Sequence, residues 1–201
     1  MEEWLMIVSR QLLLYGLPVA LSLTLVVVLE SRLTKTSIPH PFFAINWCGT
    51  WLPLLAAIAF HRGIIIALPH SLKVGIKPAA IRFCAHILIC LLGFLLFSWS
   101  ESNQASIGSP SLLHWWAKVL MFFNLCMAGL HLLPLPGLLV GECLAKTSLA
   151  ALIKRWISRK HGWLVLTVLA ASPLLDLILG AYVIFPIYSS LSDLATNLFM
   201  M

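Results

Sequence analysis

His131-Leu132-Leu133-Pro134-Leu135-Pro136-Gly137-Leu138-Leu139-Val140-Gly141 closes an apolar run that begins at Leu112. Two prolines and two glycines stand where a membrane span should simply end. Proline lacks the amide donor and clashes with the preceding turn, which costs about 3 kcal/mol or more inside a helix. The stretch Pro134–Gly141 therefore predicts a non-helical break at membrane depth. Irregular backbone survives there only when protein covers it or when it lines a water-filled cavity. The break must pack on other helices, so the chain reads as a bundle of several spans.

Composition points the same way. Of 201 residues, 61% are hydrophobic and only 10% charged, against about 25% charged in a soluble domain. Lipid must contact much of the surface, and no soluble domain fits between the apolar runs. The expectation is an all-α polytopic membrane protein of one domain, residues 1–201. The net charge of +6 does not indicate nucleic-acid binding, because the basic residues cluster in two segments that flank apolar runs. Cysteines 48, 84, 90, 126 and 143 form no CxxC pair and read as small buried hydrophobes. Glu2 and Glu3 stand where a cleavable signal would carry basic residues, so none is expected.

Apolar runs cover Gln11–Leu29, Phe42–Phe60, Phe83–Trp99, Leu112–Leu133 and Gly162–Ile187, the first two without charge and the last carrying Pro173, Asp176 and Pro186. Gly16 and Pro18 are candidate kinks in the first. Gly49, Pro53, Gly63 and Pro69 punctuate the second, so residues 42–68 either cross or dip in and return. Residues 70–82 read as a basic loop, 100–111 as a polar loop, and 142–161 as a basic interfacial helix. The count is four to five transmembrane helices plus re-entrant or broken segments. Lysine and arginine number four in 61–82, five in 141–162 and none in 100–111. The first two segments are thus expected to be cytoplasmic and the third outside. A crossing 42–60 gives ten basic residues inside and three outside; a re-entrant 42–68 gives eleven and two, with the N-terminus outside.

The break resembles the third core segment of the site-2 proteases, the intramembrane zinc metalloproteases. They read Asn-Leu-Leu-Pro-x-Pro-x-Leu-Asp-Gly there, and the Asp binds zinc. Pro41-Phe42-Phe43-Ala44-Ile45-Asn46-Trp47-Cys48-Gly49-Thr50, Ala85-His86-Ile87 and the Gly162–Pro186 run are similar to other segments of the short bacterial members. Order and spacing agree over residues 40–190. The resemblance implies a site-2 protease-like fold in a bacterial inner membrane, with the catalytic motifs lost. Leu139 replaces the Asp. The first helix, Leu23 to Glu30, has no histidine where His-Glu-x-x-His is needed to hold zinc and activate its water. His61-Arg62-Gly63 echoes the motif only in its first residue, and an arginine there repels a cation. No catalytic residue, metal ligand or cofactor is expected.

Other polar residues at depth are candidates for a rebuilt site. His131, Cys126, His61, His70 and Glu142 show no helical ligand spacing. His131 is expected to be neutral and bonded to carbonyls freed by Pro134 and Pro136. His40, His86, His114 and His161 are placed at membrane edges. Asn124 reads as a helix–helix hydrogen bond, and Gly129 with Ala128 as a close-packing point. Asp176 is an intramembrane carboxyl, a functional hypothesis by default. It would hold a proton or cation, or pair with a partner's basic residue, or bond carbonyls left by Pro173.

The leading expectation is a pseudoprotease: a scaffold or accessory subunit whose partners are membrane lipids and other integral membrane proteins. The resemblance places Asn124, Gly129, His131 and Leu139 along the former catalytic cleft, where a partner segment would lie. The second reading is a small proton- or ion-translocating subunit using Asp176 and the broken segment 134–141. An active metalloprotease comes last.

Overall fold

The computed structural model describes residues 2–37, 40, 45–69, 73–103, 110–135, 137–144 and 162–198. Among these, every regular element is helical. Four segments are long and apolar enough to cross a membrane. They are α1 (Glu2–Leu33), α3 (Ile76–Ser102), α4 (Leu112–Leu130) and the composite Asp176–Asn197, a π-helical stretch Asp176–Ile184 that runs into α7 (Phe185–Asn197). Shorter helices are α2 (Leu52–Ala59, entered through a π-helical turn Trp47–Trp51), α5 (Leu139–Cys143) and α6 (Gly162–Ala171). This is an all-α integral membrane protein.

Helix α3 begins well before the apolar run, at Ile76, so residues 76–82 are helix and not loop. Gly75, at φ +132°, turns the chain into it. Pro78 lies in the first turn, where an amide would have no intrahelical acceptor, so it does not break the helix. Arg82 is thereby carried into the bundle. Helices α3 and α4 form the most extensive contact in the fold. They touch backbone to backbone, since a β-carbon on Gly93 would lie 2.5 Å from the Met121 nitrogen.

The end of α1 and the start of α3 lie close together. Lys73 Nζ donates to Thr34 Oγ1 at 3.2 Å, and Arg82 pairs with Glu30 at 3.0 Å. The end of α1 and the start of α3 thus meet at one end of the bundle. The helical segment Trp47–Ala59 is about 20 Å long at the usual rise, too short to cross. Beyond it Ile64–Ala67 is non-helical and buried. Leu68 N–H donates to Gly49 O at 2.8 Å, and Thr50 Oγ1 donates to Leu68 O at 2.9 Å. This is the arrangement that the re-entrant alternative expects. It puts the N-terminus at the end opposite Lys73, together with Ser111.

The final run does not form one helix from 162 to 187. It breaks at Ser172–Leu175 because Pro173 has no amide for Leu169 O; Ser172 Oγ donates to that carbonyl instead, at 3.0 Å. Ile184 then packs on Gly129 and the Tyr188 ring on Phe122, with centroids 4.9 Å apart, so α7 runs antiparallel to α4. Most of the expected interfacial helix 142–161 lies outside the described residues.

A labelling prediction follows from this arrangement. In a background without native cysteines, Glu3→Cys and Ser111→Cys should react with an impermeant thiol reagent from one face. Lys35→Cys and Lys77→Cys should react from the other. Reaction of Glu3→Cys and Lys35→Cys from one face would contradict the fold.

Candidate functional site

A buried polar seam runs where α1, α3 and α4 meet. On α1, Ser22, Val26 and Glu30 recur every four residues and share one face. On α3, Arg82 and His86 do the same. Asn124 and His131 come from α4 and its C-terminal cap. All seven are buried. Glu30 Oε2 accepts from Arg82 Nη1 at 3.0 Å. Deeper in the bundle, Asn124 Nδ2 donates to Leu120 O at 2.7 Å and to Ser22 Oγ at 2.8 Å. Ser22 Oγ in turn donates to Pro18 O at 2.7 Å.

These partners fix the chemistry of the two imidazoles. Leu120 O can only accept, so the Asn124 atom facing it is the amide nitrogen. Asn124 Oδ1 therefore accepts, and His86 Nδ1, 2.8 Å away, must donate. Neutral His86 then carries a bare lone pair on Nε2. His131 has the opposite tautomer. Its Nδ1 accepts from Leu139 N–H at 3.2 Å, so its proton sits on Nε2. His86 and His114 are both buried within the protein. His131 bonds an amide rather than freed carbonyls, because its Nδ1 points at the start of α5.

The site-2 protease resemblance implies zinc, and the residues present do not fit it. The His86 and His131 rings stand 6.0 Å apart, but only His86 offers a lone pair. Leu139 stands where the third ligand would be. Among the described residues, no three His, Cys, Asp or Glu side chains converge on one point. Glu142 is also engaged: Oε1 accepts from Gly137 N–H and Oε2 from Gly75 N–H, both at 2.8 Å.

The bend after α4 is tighter than the sequence suggests. Val140 N–H donates back to His131 O at 3.1 Å, and helix resumes at Leu139. Helix thus stops at Leu130 and resumes at Leu139, before the Gly141 to which the break was expected to extend. Gly137 adopts φ +82°, a left-handed conformation that suits glycine. Gly141 lies against the Leu135 carbonyl, which leaves no room for a β-carbon.

Three of the four cleft residues, Asn124, His131 and Leu139, line the seam and its bend, whereas Gly129 lies on another face of α4. Asn124 and His131 are buried in the seam and Leu139 is half-buried. Gly129 faces Ile184, whose Cδ1 would be 2.9 Å from an added β-carbon. Asp176 lies elsewhere, at the tip of the re-entrant segment. Its carboxylate accepts from Ile64 N–H at 2.7 Å and Gly63 N–H at 3.3 Å. Beside it, Arg62 Nε donates to Ala171 O at 2.7 Å. The Phe185 ring closes over Gly63 and Gly180.

This gives Asp176 a structural task. Hydrogen bonds to a charged group contribute about 1.5–3 kcal/mol. Asp176→Asn keeps one oxygen but turns an amide donor toward the second backbone N–H. It should lower stability by about 1–2 kcal/mol and speed amide exchange at Gly63 and Ile64. Unchanged exchange at both residues would contradict the assignment.

Sequence reasoning missed Ser22, Glu30, Arg82 and Gly93. The four-residue stripes on α1 and α3 were the available signal for the first three. Comparison with protein-family models, curated proteins and solved structures returned no match.

Proposed function

We propose that this chain is a non-catalytic, site-2 protease-like protein of the bacterial cytoplasmic membrane, a scaffold or accessory subunit that holds a transmembrane segment of another integral membrane protein. One observation carries the reading. The acidic groups near the break and the re-entrant tip are engaged by the fold itself. Glu30 binds Arg82 through Oε2 alone, Glu142 binds Gly75 and Gly137, and Asp176 binds Gly63 and Ile64. A hydrolytic site needs a carboxylate free to take a proton from water or to hold a metal. A translocation path needs one open to the passing ion. The same scaffold, with its Pro-Gly bend beside a polar seam, suits binding without turnover.

The test is purification of the full chain in mild detergent from cells that express it at native level. A scaffold brings down a membrane partner in constant ratio. Recovery of the chain alone, with proteolysis of a reconstituted transmembrane substrate, would overturn the proposal.

A further inference from the structure

The end of α1 and the entry to α3 gather positive charge at one end of the bundle. Arg32 closes α1, Lys35 lies in the turn after it, and Lys73 and Lys77 flank the start of α3. Arg32, Lys35 and Lys77 are exposed. The carboxylates beside them do not neutralise the cluster. Glu30 is paired with Arg82 at 3.0 Å. Glu142, on Gly75 and Gly137 N–H, offsets one of the four other cations, which leaves a surplus of three.

Lys73 is held in place within this cluster. Its ammonium donates to Thr34 Oγ1 at 3.2 Å and to Thr36 Oγ1. Thr34 Oγ1 in turn donates to Glu30 O at 2.7 Å. An ammonium has three hydrogens. Two go to neutral hydroxyls, so Lys73 keeps its full charge and one directed donor. Helix α3 adds to this. No side chain caps it, and the amides of Ile76 and Lys77 precede its first bond, from Ala79 N–H to Gly75 O at 3.1 Å. Fixed cation and backbone donors are what a phosphate oxygen takes. Apolar residues are interleaved with the cations. Leu33, Val74 and Ile76 are 59%, 57% and 50% exposed, next in sequence to Arg32, Lys73 and Lys77. A soluble anion makes no use of them, whereas a lipid brings an acyl chain.

We propose that this end of the bundle binds an anionic phospholipid, its phosphate on Lys73 and the surrounding cations, its apolar part against Leu33, Val74 and Ile76. Basic pockets between membrane helices take acidic headgroups in this way. Phosphatidylcholine carries an ammonium of its own, which the surplus positive charge repels.

The experiment is native mass spectrometry of the full chain from mild detergent, titrated with phosphatidylglycerol, phosphatidylcholine or inorganic phosphate. Phosphatidylglycerol should bind about tenfold more tightly than phosphatidylcholine. Lys73→Gln with Lys77→Gln should weaken it about fivefold for each lysine removed. Lys77→Gln alone serves if the double variant does not fold, since Lys77 is exposed. Arg10→Gln makes the same charge change at an exposed position nearer the other end of α1 and should leave binding as it is. Equal binding of the two lipids, or an equal loss in the Arg10 and lysine variants, would overturn the proposal. Displacement of the lipid by equimolar inorganic phosphate would overturn it too, because the site would then serve a soluble anion.

Discussion

Gly93→Val is expected to drive α3 and α4 apart. The added β-carbon would fall 2.5 Å from Met121 N and 2.9 Å from its Cα. A flexible side chain could swing away from such a contact, but backbone cannot. The helices must separate, and the closest contact in the membrane bundle goes with them. Overpacking in cores costs about 1–3 kcal/mol and occasionally more; a backbone clash at the largest interface belongs at the upper end or beyond. Denaturant unfolding in detergent should show a loss of about 3 kcal/mol or more. Gly16→Ala is the control, since its β-carbon meets only the Trp51 ring at 3.8 Å. Equal stability of the two variants would show that α3 and α4 do not cross at Gly93.

Arg82→Met is the second large effect. Arg82 and Glu30 are paired with side chains 1% and 5% exposed. Removing one member of a buried pair strands the other charge, which costs about 3–5 kcal/mol. Replacing both by well-packed apolar residues is often neutral. Glu30→Met together with Arg82→Met should therefore recover most of the loss. Recovery stays incomplete, because Arg82 also holds the carbonyls of Lys73 and Gly137. A double-mutant cycle measures the coupling directly. Simple addition of the two single losses would mean that the charges do not sense each other.

The sequence is most readable where covalent rules act locally. Proline and glycine mark the bend after α4 because each removes a specific backbone option. Long apolar runs mark α1, α3 and α4 because lipid tolerates little else. The α3 start was misread because Pro78 looks like a loop signal, while a first-turn proline gives up nothing that the helix uses. That single misreading hid Arg82, and with it the ion pair to Glu30. The break at Ser172–Leu175 was visible as Pro173, yet its consequence depends on Ser172 supplying the substitute donor. Asp176 shows the other limit. Its partners lie over a hundred residues away, on a non-helical segment whose path no local pattern encodes. Gly93 is likewise ordinary in sequence, and only the register of α3 on α4 gives it weight.

Native mass spectrometry of the chain released from mild detergent tests the central claim most directly. The account predicts a complex of this chain with another integral membrane protein in fixed ratio and no zinc adduct. A free chain carrying about one zinc, lost on His86→Ala or His131→Ala, would contradict it.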